Sequence, residues 1–135
     1  MTDKRIDWNA ATDQQKCILI GETAGWDARK IEVAEHSADA TYSGAHIAGV
    51  RLHPGCWAPD YLRDPRAWWP LVEEMGAEAS DDKFFDVSCA GSRRGWAAGF
   101  REKYYEHWVD QGVAPTPAEA VCIAYLRSKG WTVTT

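Results

Sequence analysis

The segment "TPAEAVCIAYLRSKG", residues 116 to 130, limits the possible folds more than any other stretch. Thr116 is placed to cap a helix, Pro117 suits its first position, and Glu119 closes a capping box. Arg127 and Lys129 fall in the last turn, and Gly130 stands just past it. Between these signals Val121, Cys122, Ile123, Ala124, Tyr125 and Leu126 leave almost no polar side. A helix apolar all round has to be covered all round, so it packs against a sheet and a neighbouring element at once.

The rest of the chain offers those partners. Thr12 and Gln15 form a second capping box, which predicts a helix over 13–23 with Cys17, Ile18, Ile20, Gly21 and Ala24 as its apolar stripe. Gly25 ends it, and Trp26 turns back onto it. "RKIEVAEH" (29–36) alternates with a two-residue period, and "AHIAGVRLH" (45–53) pairs with it as an antiparallel hairpin. "HPGCWAPD" is a connector whose prolines and glycine disfavour regular structure. Asp64 and Pro65 resemble a helix start, but Pro70 would clash inside it, so the second helix is expected from about Trp69 to Met75, with Trp68, Leu71, Val72 and Met75 inward. A second hairpin is expected over 84–90 and 95–101, with Phe85, Val87, Cys89, Trp96, Ala98 and Phe100 facing the core. "YYEHW" (104–108) fits no single assignment. The expectation is an α+β single domain over 1–135, an antiparallel β-sheet of two hairpins covered by about three helices in αββαββα order. Residues 1–11 are expected to be a flexible N-terminus.

A chain of 135 residues with 45% apolar and 26% charged residues falls in the usual range of one globular domain. No apolar run approaches the roughly twenty residues of a membrane span, and "MTDKRIDWNAATDQQ" lacks a signal-peptide pattern, so no membrane association and a location in the cytoplasm are expected. Four cysteines spaced 33 to 39 residues apart, with no CxxC pair, predict buried free thiols. The formal charge of −5 opposes general nucleic-acid binding.

Several side-chain groups bear on chemistry. His46, His53 and Cys56 fall within eleven residues, but the spacing matches no zinc module and strict alternation would place the two histidines on opposite faces. No nucleophile elbow, phosphate loop or dinucleotide fingerprint is present, so no catalytic residue and no cofactor are assigned. Eight tryptophans are unusual in a chain of this size. Trp26, Trp57, Trp68 and Trp96 are expected to fill the core, and Trp8, Trp69, Trp108 and Trp131 to leave one or two exposed rings. Trp57, Tyr61, Trp68 and Trp69 are the candidate protein-contact residues, since tryptophan and tyrosine concentrate at interaction hot spots. One alternative, binding of single-stranded nucleic acid, would use Arg93, Arg94, Trp96, Arg101 and Lys103, and another, a metal-dependent hydrolase, would centre on His46, His53 and Cys56.

Four stretches, "ETAGW" (22–26), "PDYLRDPRAWWPLVEEM" (59–75), "GWAAGF" (95–100) and "TPAEAVCIAYLRSKG", together resemble the phage ABA sandwich domain, a family of small bacteriophage and prophage proteins. The resemblance covers about half the chain. It implies an antiparallel sheet covered by helices and supplies no active site. It also implies an accessory protein that works by binding a host or phage protein, including defence machinery, or by forming a homodimer.

Overall fold

The computed structural model describes residues 4–26, 46–47, 49–80, 83–89, 95–102 and 108–135. Their fold is mixed α+β, built from three helices, a three-stranded antiparallel sheet and smaller strand pairs. Helix α1 (Asp13–Thr23) carries the complete capping box of Thr12 and Gln15, and Gly25 follows it at φ +76°. Helix α2 (Pro65–Gly76) and helix α3 (Pro117–Ser128) both begin with a capping side chain and a proline. Among the described residues no helix is long and apolar enough to cross a membrane.

Helix α3 is the hub, as its composition requires. It packs against the sheet strands β4 (Lys83–Cys89), β5 (Trp96–Glu102) and β6 (Trp108–Ala114), and also against α1 and α2. Eight of its residues, Ala118 and Ala120 through Leu126, are buried. The closest approach is at Gly112 on β6, where an added Cβ would stand 2.3 Å from the Ala120 carbonyl oxygen and 2.8 Å from the Ala124 nitrogen. Only glycine lets strand and helix meet there. At the C-terminal end Arg127 donates to the carbonyls of Gln111 and Val133, which ties the helix to two strands.

Several expectations are corrected. Residues 5–7 are ordered: β1 (Arg5–Asp7) pairs in parallel with β7 (Thr132–Thr134), and Trp8 is only 3% exposed. The Trp8 indole donates to Glu119 at 3.4 Å, and the Lys16 ammonium stands 4.6 Å over its ring and 3.6 Å from the same carboxylate. Glu119 thus joins the N-terminal segment to α1 and α3, a long-range role beyond its expected place in the capping box. Of the first expected hairpin, residues 29–36 lie outside the described residues. The segment 45–53 is not one strand, because Gly49 at φ +75° reverses it and β2 (His46–Ile47) pairs with β3 (Val50–Arg51).

Helix α2 starts at Pro65, one turn earlier than expected, with Asp64 as its cap. Pro70 lies inside it on an exposed face, where the helix can bend outward and water can take the carbonyl that proline leaves unpaired. The second hairpin forms in register, with Cys89 opposite Trp96 and Phe85 opposite Phe100, but Cys89 is exposed. A third strand, β6, was not anticipated. It pairs with β5 through a bulge in which Asp110 takes a left-handed φ of 55°.

Candidate functional site

Two places gather groups that packing alone does not explain. The first is the outer side of α2. Asp64, 7% exposed, fixes the start of this helix: its carboxylate accepts from the amides of Arg66 (3.1 Å) and Arg51 (2.8 Å) and from the Arg66 guanidinium (3.2 Å). Burial pushes the Asp64 carboxyl up, but these donors outweigh it and hold the group below the ordinary aspartate value. With the helix anchored, Trp69 points outward and is 51% exposed. Its ring meets Trp68 edge-on at 6.0 Å and 63°, and Trp68 is packed against the core, which braces the exposed ring. Other residues of the same helix border a groove of about 330 Å³, lined by apolar side chains including Trp26, Val50, Ala67, Pro70 and Leu71, with Arg66 and Glu74 at its polar positions.

The second place lies in the connector between β3 and α2. The connector folds on itself through His53 and Ala58 (2.9 Å), Cys56 and His53 (3.0 Å), and Asp60 and Arg51 (2.9 Å). This brings His53 and Asp60 against α1, where Cys17 is fully buried. One donor atom from each of Cys17, His53 and Asp60 lies within 4.8 Å of the others. His53 Nδ1 and Asp60 Oδ1 are 3.5 Å apart, and both are buried without a hydrogen-bond partner. Arg63 reaches the same Asp60 oxygen at 3.5 Å while pairing with Asp13 at 2.8 Å. Burial drives the Cys17 thiol up to about 12, with the backbone amides of Tyr61 and Leu62 pulling it down and Asp60 and Cys56 adding to the rise. A thiol so buried and so weakly acidic is a poor nucleophile.

The tryptophan expectations divide. Trp8 is the buried ring; Trp26, Trp57, Trp68 and Trp96, expected in the core, are half-buried, and Trp69 is the exposed one of the four from which one or two exposed rings were expected. Of the contact candidates, Tyr61 is 3% exposed and belongs to the core, and it also lines the inner wall of the groove beside α2. Trp57 lies over Gly21 and accepts the Trp26 indole N–H at its carbonyl (3.2 Å), which makes it a staple on α1. Trp69 is exposed, with Trp68 behind it. Of the nucleic-acid candidates, Arg93, Arg94 and Lys103 lie outside the described residues. Arg101 is paired with Asp86 at 3.1 Å and covers the Trp108 ring at 5.1 Å. Trp96 is half-buried and packs on the core.

The metal candidates are rearranged. His53 takes part, but with Cys17 and Asp60. The Cys56 sulfur accepts the Ala58 amide at 3.4 Å, and the His46 side chain lies outside what is described. Sequence spacing concealed this cluster because Cys17 comes from a helix more than thirty residues before the connector. The only local trace was His53 and Asp60, seven residues apart in a stretch too rich in proline to be a helix. No protein-family model, curated protein or solved structure matches the chain.

Proposed function

We propose that this chain is an accessory protein of the phage ABA sandwich kind that acts by binding another protein in the bacterial cytoplasm, host machinery or a defence component. The observation that carries the reading is Trp69, a half-exposed indole braced from behind, on a helix whose Ala67, Pro70 and Leu71 line an apolar groove. An exposed tryptophan with an apolar depression next to it and charge at the edge has the composition of an interface centre with its rim. The four segments that carry the family resemblance include α1's end and α2 as far as Met75, which border the groove together with Val50 of β3.

The binding partner is expected to insert an apolar side chain into the groove while packing on Trp69. Trp69→Ala should leave the urea midpoint within about 0.5 kcal/mol of the parent, as for other surface changes. It should weaken partner binding by about 2 kcal/mol or more, roughly thirtyfold, the scale of a hot-spot residue. The measurement is a tagged pull-down from bacterial lysate with nuclease treatment, followed by titration of the recovered protein and by sedimentation of the chain alone. Unchanged partner binding and self-association in a folded Trp69→Ala variant would sink the assignment.

A further inference from the structure

We propose that Cys17, His53 and Asp60 form a binding site for a divalent transition-metal ion, zinc by the chemistry of the donors. A thiolate, an imidazole nitrogen and a carboxylate oxygen are three ligand types that zinc accepts together, and three protein ligands leave one coordination position open. The geometry is close to what the ion requires. Bonds of about 2.0–2.1 Å to nitrogen and oxygen put two tetrahedral ligands about 3.3 Å apart, and His53 Nδ1 and Asp60 Oδ1 are 3.5 Å apart. All three donors lie within 4.8 Å of one another, so closure around the ion asks for a movement on the order of 1 Å to reach these bond lengths.

The same two atoms have no hydrogen-bond partner although they are buried, and Asp60 is only 3% exposed. The Asp60 oxygen has ion-pair partners in His53 and Arg63, each at 3.5 Å, but no hydrogen bond, and a buried imidazole nitrogen and carboxylate oxygen left without hydrogen bonds are costly. A cation between them satisfies both. Charge balances as well: a dipositive ion meets one aspartate and one thiolate, and binding releases the Cys17 proton to solvent. The buried thiol that makes a poor nucleophile becomes a good ligand, because a coordinated metal holds the thiolate form. The flanking Arg63, bonded to Asp13 and set 3.5 Å from Asp60, orients the carboxylate in the manner of an outer-shell partner. His53 and Asp60 also line a cavity of about 380 Å³ shared with Arg51, Pro54 and Arg66, which gives the ion its access route from solvent.

The full chain, stripped with a chelator and titrated with Co²⁺, tests this directly. One equivalent of Co²⁺ should produce a thiolate-to-metal charge-transfer absorption that Zn²⁺ then bleaches. Cys17→Ser should abolish the absorption, and Cys89→Ser, on the exposed thiol, should leave it intact. Asp60→Asn should keep the absorption but weaken Co²⁺ by at least about 10-fold, the lower end of what even outer-shell changes cost. No charge-transfer band in the parent under excess Co²⁺, or a band that survives Cys17→Ser, overturns the site. Should Cys17→Ser fail to fold, an unchanged Co²⁺ affinity in Asp60→Asn overturns it equally.

Discussion

Asp64 is where a single side chain holds the most together. It caps α2, receives the Arg51 amide from β3 and pairs with Arg66, so it fixes the angle between hairpin and helix. Asp64→Ala should cost about 1–2 kcal/mol at neutral pH, the upper range for an N-cap, read from urea midpoints. The pH dependence follows from its depressed carboxyl. A folded value below the unfolded value of about 3.9 gives stability that is fully present above about pH 4 and is lost as the pH falls through the folded value. The gap between parent and Asp64→Ala should therefore narrow on acidification below about pH 4. A gap that stays constant would place the whole effect in the cap geometry. Legibility at this scale is good for local signals: Thr12, Asp64 and Thr116 can all be read as caps because the partner of each lies two or three residues on. Glu119 shows the limit, since its role toward Lys16 and Trp8 depends on a contact across most of the chain.

Among the elements, α2 carries its own conflict. Its cap and first-position proline specify one start, and Pro70 argues for another; the helix follows the first pair and accommodates the second on its exposed side. Proline inside a helix costs about 3 kcal/mol, of which unfolded-chain stiffness recovers about 0.4–1 kcal/mol. Pro70→Ala should thus raise stability, by about 2–2.6 kcal/mol in a denaturant series; a loss instead would show that Pro70 contributes packing to the groove that outweighs the missing bond. The helices were legible because their caps and periodicity are local. Strand β6 was not, because the left-handed Asp110 and the close-packed Gly112 break the two-residue alternation by which a strand is read. Strands β1 and β7 span three residues each and owe their existence to each other, which no window of sequence displays.

On the scale of the molecule, the core around α3 holds ionisable groups in neutral form. Burial raises the Cys122 thiol well above its ordinary value, with Cys17 and Glu119 adding to the rise. Burial also raises the Tyr61 phenol, with Cys122 next, and the Tyr125 phenol, with the Glu74 carboxylate next. In the unfolded chain Cys17 and Cys122 ionise near 8.5 and Tyr61 and Tyr125 near 10, while burial in the folded chain holds these four groups above those values. Their contribution is complete below about pH 8.5 and is lost as the pH rises. Thermal melts should show a midpoint that falls steadily above about pH 9, and Cys122→Ala should flatten the first part of that fall. A midpoint indifferent to pH between about 8.5 and 11 would mean that water reaches these side chains.

The parallel pairing of β1 with β7 also bears on how the chain is made. Strand β1 is synthesised before the other described elements, and its partner follows only after all of them. Until then the edge of β1 and the indole of Trp8 wait uncovered, within reach of other nascent chains and of chaperones. The β1 clasp therefore closes late in synthesis, over a core that the other elements have had time to assemble.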